Sequence, residues 1–285
     1  MAEEQHFIPK FVLRGFTDPL TPIQQEPYVW VYYFDKNIWD NKAPENIAFK
    51  SDFYKYIDNE GNVINEIEGY MSEVEGKTAN ILRNKICKKG LVTEEDKKII
   101  SEFIAFMLLR TPKFRDGLAE LVEKETNKIK ERLGQDKYEK LQKLFESLFD
   151  PKFESLRLMM KKSDFAAKII FGMTWSFLNS TGKERFITSD NPVSLLCGHS
   201  LIDKEAKLVF PFSKEICLLT TWQKEMNHFI DASQRFIKEV NQNKIFTSDN
   251  FIISSQQSFI GDEFLRVKKY KILVRFCHLL RLLTF

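Results

Sequence analysis

Cysteine is scarce in this 285-residue chain and never paired in sequence: Cys87, Cys197, Cys217 and Cys277 lie far apart. A zinc ribbon or a dithiol redox centre needs two thiols a few residues apart, so both are excluded. Scattered thiols suit a reducing compartment, where they act as small buried apolar groups. Glycine (11) and proline (9) are too few and too dispersed for a long flexible linker, and no repeat of solenoid length is present. The start, Met1-Ala2-Glu3-Glu4-Gln5-His6, has neither the basic opening nor the apolar core of a secretory leader. The most apolar stretch, Ile272 to Phe285, is broken by Arg275, His278 and Arg281 and is too short to span a bilayer. These absences predict a cytoplasmic protein with no membrane partner. An excess of one charge is also missing. The balance of 43 Lys+Arg against 40 Asp+Glu leaves +3, which neither demands nucleic acid nor excludes a local basic patch.

What is present is the material of a soluble globular fold: 43% hydrophobic and 29% charged residues, enough for a sizeable core. Phenylalanine stands out, with 26 residues against four Trp and eight Tyr. With the many Lys, Ile and Asn, it has the look of coding bias in a low-GC bacterium, and it reads as bulky core filler.

Tyr28 to Phe34 and the stretch near Ile47 to Phe49, leading into Phe53 to Ile57, predict strands, and Asp58 to Asn62 predicts a turn. From about residue 64 the period becomes helical. Ile64, Ile67, Met71, Val74, Thr78 and Ile81 form one stripe. Thr93-Glu94-Glu95-Asp96 predicts a capped start for a helix that buries Ile100, Phe103, Ile104 and Met107 and stops at Thr111-Pro112. Charge-laced helices are expected over 113–133 and 136–148, another over 152–162, and one capped by Ser163-Asp164 over Phe165 to Leu178. Strands are then expected at 185–188, 193–196, 207–210 and 216–221, a helix over 232–242, and late strands at 245–246 and 251–253. Strands, helices, then strands predict an α+β fold: a mainly helical middle beside a mixed or antiparallel sheet from N-terminal and C-terminal strands. The expectation is one domain, 1–285, with a signature and strands over 1–60, helices over 61–182, and strands with a tail over 183–285.

Three segments carry polar residues against this apolar background. His6 precedes Pro9 in Gln5-His6-Phe7-Ile8-Pro9-Lys10-Phe11-Val12-Leu13-Arg14-Gly15-Phe16 and reads as a base, a metal ligand or a backbone tether. Glu68, Ser72 and Glu75 share a helix face at the rim of the stripe. Arg110, in Leu109-Arg110-Thr111-Pro112, is placed to fork onto a carboxylate such as Glu75 or Asp190, or onto a phosphate, and otherwise reads as a snorkelling cation at the helix C-terminal dipole. Phe186-Ile187-Thr188-Ser189-Asp190-Asn191-Pro192-Val193 runs a strand into a polar triplet. Asp190 there reads as a cation ligand or an orienter of His6, Asn191 as a contact for substrate oxygen, and the whole as an Asx turn otherwise. Thr247-Ser248-Asp249-Asn250 repeats the triplet without the proline and reads as coincidence. The C-terminal stretch from Arg266 to Arg281 is basic and reads as a phosphate contact or a guarded sheet edge.

Together these three segments, in this order and spacing over about residues 5–220, resemble the bacterial family called domain of unknown function 4238. The match loosens beyond Val240-Asn241. The resemblance implies a fold and a set of suspect residues but no activity. No phosphate-binding loop, dinucleotide fingerprint, His-Glu-x-x-His or Gly-x-Ser-x-Gly elbow is present. The leading expectation is a phosphodiester hydrolase, a nuclease or nucleotide phosphodiesterase. Its catalytic residues would be His6, Arg110 and Asn191, a divalent cation would sit on Glu75 and Asp190, and its partner would be a nucleic acid or nucleotide. The alternative is a non-enzymatic ligand-sensing or protein-interaction module, of the kind found in defence or toxin-like systems.

Overall fold

Strands occupy both ends of the chain and helices its middle, so the fold is α+β. The computed structural model describes residues 4–51, 56–57, 63–64, 66–144, 151–224, 228–258, 262–263 and 265. The expected turn at 58–62, most of the strand expected at 53–57, and the basic C-terminal stretch lie outside those residues. The first part holds β1 (Glu4–His6), α1 (Lys10–Arg14), β2 (Val29–Tyr33), β3 (Ile38–Lys42), β4 (Phe49–Ser51), β5 (Tyr56–Ile57) and β6 (Val63–Ile64). The middle holds α2 (Glu66–Asn84), α3 (Glu94–Leu109), α4 (Pro112–Leu133), α5 (Gln135–Leu144) and α6 (Pro151–Gly172). The last part holds β7 (Thr174–Asn179), β8 (Thr188–Ser189), β9 (Ser194–Cys197), β10 (Lys207–Pro211), β11 (Ile216–Thr221), β12 (Phe229–Asp231), α7 (Gln234–Thr247) and β13 (Phe251–Ser254).

Two larger sheets result. One has the order β3-β2-β13-β8 and joins the N-terminal strands to the C-terminal ones, with Val31 opposite Ile253 and Thr188 opposite Ile253 on the other side. The other, β12-β7-β11-β10-β9, is drawn only from residues after the helices and has one parallel pairing, β12 on β7. The sheet expected from both ends is therefore real, and a second sheet accompanies it.

Helix α3 is the centre of the packing. The capping box at its start is present: the Thr93 hydroxyl accepts from the Asp96 N–H, and the Asp96 carboxylate accepts from the Thr93 N–H. Its expected one-sided stripe is exceeded, because Ala105, Phe106, Leu108 and Leu109 are buried as well. Phe103 lies 5.5 Å from Phe11, 5.8 Å from Phe210 and 6.3 Å from Phe212, which seats α3 against the N-terminal segment and the β10 end of the second sheet. On α2 the stripe is buried at Met71, Val74, Thr78 and Ile81, whereas Ile64 belongs to β6.

Three expectations change. Of the strand expected at 185–188 only Thr188 lies in one, β8, because the Arg185 carbonyl and the Ile187 N–H bond to the Asn241 side chain instead of to a neighbouring strand. Ser163 does not cap a new helix; its hydroxyl donates back to the Met160 carbonyl, so α6 runs on unbroken to Gly172. The residues after it alternate instead of repeating every 3.6. Trp175 and Phe177 face the main core and Leu178 the opposite side, which makes Thr174–Asn179 a strand. Likewise Ile245 and Phe246 continue α7, because Ile237, Val240, Asn241, Lys244 and Ile245 share one buried helical stripe. Among the three described cysteines only Cys217 is buried; Cys87 and Cys197 are exposed.

Gly15, in the first segment, ends α1 where a side chain has no room. A Cβ there would lie 2.7 Å from the Phe212 carbonyl oxygen and 2.8 Å from Ser213 Cβ, in the turn joining β10 to β11. Its own carbonyl accepts from the Lys214 N–H at 3.0 Å. Gly15→Ala is expected to lower unfolding stability by ~1–3 kcal/mol through this collision. Gly182→Ala, where nothing lies within 4 Å, is expected to stay within about 0.5 kcal/mol. Urea midpoints of the two variants check both.

Candidate functional site

Arg110 occupies the C-cap of α3, where Thr111-Pro112 ends one helix and begins the next. Its side chain is 1% exposed. The guanidinium donates from Nε to the Phe7 carbonyl at 2.9 Å and from Nη1 to Glu75 Oε1 at 2.5 Å. The Glu75 side chain is 26% exposed, so the pair is closed on the arginine side and open at the rim on the glutamate side. About two turns earlier on α2, Glu68 accepts from the buried Gln5 amide at 2.5 Å. The first two segments thus meet: β1 and the residues after it lie across α2 and the end of α3, held through one side chain and one carbonyl.

His6 has other neighbours. Strand alternation turns it away from Gln5, and its ring lies 5.5 Å from Phe49, its partner across β4. Burial, then the Lys10 charge, push its pKa down, while the Glu45 and Pro44 carbonyls pull it up. Its Nε2 is buried with no hydrogen-bond partner among the described residues.

The third segment is bound to the end of α7. Asp190 is buried, and its Oδ1 and Oδ2 accept from the backbone N–H groups of Asp249 (2.9 Å) and Asn250 (2.6 Å). Asn191 donates to the Thr247 carbonyl at 3.3 Å. Lys244 donates to the Pro192 carbonyl and to Ser194 Oγ, both at 2.6 Å, and Asn243 donates to the Leu195 carbonyl at 2.9 Å. Residues 190–195 therefore run antiparallel to 243–250, one polar contact after another. Thr247-Ser248-Asp249-Asn250, expected to be coincidental, is the direct partner of the triplet it echoes. Asn241 adds a further clasp, accepting from the Ile187 N–H and donating to the Arg185 carbonyl.

Phe251 links the two networks. Its carbonyl accepts from the Asp190 N–H at 3.3 Å, and its ring lies 6.5 Å from that of Phe7, whose carbonyl holds Arg110. All three segments therefore border one region of the core. Among the described residues no three His, Cys, Asp or Glu side chains are grouped to hold a metal ion. A surface groove between α2 and α3 is lined by Tyr70, Glu73, Lys77, Glu95, Lys98 and Glu102 among others, and by none of His6, Glu75, Arg110, Asp190 and Asn191. Sequence reasoning passed over Asn241, Asn243 and Lys244. The legible signal was two polar residues at the buried spacing 237, 240, 241, 244, 245.

A family model described as protein of unknown function (DUF4238) matches residues 4–258, and the chain belongs to that family. The match takes in α7 and β13, beyond the point where the resemblance read from the sequence became loose. No curated protein and no solved structure matches the chain.

Removing one member of a network leaves its partners buried and unmatched. Glu75→Gln is expected to cost ~1–3 kcal/mol, since a charged acceptor for an enclosed guanidinium is lost. Asp190→Ala is expected to cost at least ~2 kcal/mol because two backbone N–H groups lose their acceptor together. Denaturant unfolding of each variant measures these losses. Effects no larger than those of exposed substitutions would remove the structural role assigned here.

Proposed function

We propose that this family member is a non-enzymatic module that senses a ligand or engages a partner protein, in the cytoplasm of a bacterium, with its signature residues serving the architecture. The observation that carries this reading is the enclosure of Arg110. A phosphate clamp must present its guanidinium to substrate, and this one is enclosed at 1% exposure, with Nη1 on Glu75 and Nε on the Phe7 carbonyl. The Asp190 carboxylate supports the same reading. It is buried, and both its oxygens tie down backbone N–H groups of the segment after α7, which is the work of an architectural carboxylate.

The competing reading, a metal-assisted phosphodiesterase or nuclease, predicts different behaviour in solution. Thermal unfolding of the full chain is expected to be insensitive to Mg2+ and Mn2+. Single-stranded and duplex nucleic acids and cyclic nucleotides are expected to remain uncleaved with either ion. A nucleotide-dependent rise in Tm without turnover would identify the ligand class, since whatever binds only the native state stabilises it by mass action. Cation-dependent cleavage that disappears in Asp190→Ala, with the fold retained, would overturn the proposal.

A further inference from the structure

Apart from Arg110, Lys244 is the only lysine or arginine fully enclosed among the described residues. Unlike Arg110, it has no carboxylate opposite among the described residues. It projects from α7 into the seam where β9 and β10 lie beneath the helix. Its Nζ finds the Pro192 carbonyl and Ser194 Oγ at 2.6 Å and the Val209 carbonyl at 3.5 Å. The direction of each bond can be assigned. The Asn243 amide donates to the Leu195 carbonyl at 2.9 Å, which turns its Oδ1 to Ser194, 2.5 Å away. Ser194 therefore spends its single proton on Asn243 and must accept from Lys244. The two short contacts of Nζ use two N–H donors, the complement of a neutral amine, and the distant Val209 carbonyl is left for the third proton of an ammonium.

The groups facing Nζ from the packed elements do not balance a positive charge. From the 190–195 strip it meets a carbonyl and a hydroxyl, and from β10 a carbonyl. From β11 it meets Cys217, a thiol that burial pushes up to about 12 and so keeps neutral. The nearest acid along the strip, Asp190, directs both oxygens at the Asp249 and Asn250 N–H groups. Burial brings the lysine down to about 7, against a weak opposing pull from Cys217.

We propose that Lys244 is a proton-operated latch on the C-terminal end of α7: as a neutral amine it seats the helix on the 190–195 strip, and protonation places an uncompensated cation in the interior and loosens that junction. The sign follows from linkage. A buried lysine held below its unfolded value makes the open state bind more protons than the closed one. Opening is therefore favoured at lower pH, and the closed state gains stability as pH rises from about 7 towards 10.5. The reporters are the Asp249 and Asn250 amides, which Asp190 holds only while the end of α7 is in place. This device is independent of whether the protein is an enzyme.

Amide hydrogen exchange on the full-length protein tests it, with rates corrected for intrinsic pH dependence. Between pH 6.5 and 8.5 the protection of segment 243–250 is expected to rise roughly 20-fold. Lys244→Met, which fills the same space without a titrating group, is expected to flatten that dependence. Should that variant not fold, the wild-type lysine Cε resonance followed by carbon NMR still decides. One lysine titrating about three pH units below the others supports the latch. Protection that stays constant across this pH range, or lysines that all titrate near 10, would overturn it.

Discussion

An arginine buried at the end of a helix has to be answered by acceptors, and the rest of this structure is arranged around that requirement. Arg110 sits buried where α3 gives way to α4, and its guanidinium bonds to one side chain from α2 and one carbonyl from the first residues of the chain. Neither acceptor is local in sequence. The Phe7 carbonyl and Glu75 are brought to it only if β1 crosses α2 and the helices have already packed. A buried ion pair contributes less to net stability than its Coulomb energy suggests, because both groups lose hydration. What it enforces is correctness. An arrangement that leaves Arg110 unanswered is much worse than the native one, so the pair selects a single placement of the N-terminal segment.

The same logic applies at the other end. Helix α7 covers a face of both sheets: Ile237 and Val240 pack with Val209, Cys217 and Leu219 of the second sheet, while Ile245 packs with Ile252 of the first and with Ile187 just before β8. Apolar contact alone tolerates sliding of a helix along a sheet. The antiparallel series of contacts between 190–195 and 243–250 fixes the register.

How much of this was legible follows from the kind of pattern each part presents. The α+β order, the capping box at Thr93, the Thr111-Pro112 boundary and the stripe on α2 rest on local chemistry, and each is present. The pairing of Arg110 with Glu75 was also within reach, because a lone arginine on an apolar face demands an acid and Glu75 borders the stripe. Tertiary relationships were not legible. A serine read as a cap bonds backwards to Met160, and a run read as helix alternates because it lies between two cores. The echo of Ser189-Asp190-Asn191 at 248–250 could not be recognised as a partner without knowing that a helix returns the chain to the same place. His6 had the right chemistry, but the strand turns it towards Phe49 and the Pro44–Glu45 carbonyls.

The pairing of β2 with β13 joins Val31 to Ile253, about 220 residues apart. A chain leaves the ribosome at ~5–20 residues per second, so the β2–β3 hairpin is translated some 10–40 s before the strand that completes its sheet. Throughout that interval the Val29–Tyr33 edge has no mate and offers its unbonded amides to other nascent chains. Such a topology makes biosynthesis, more than the finished fold, the vulnerable stage, and it places the closure of this sheet after every helix from α2 to α7 has emerged.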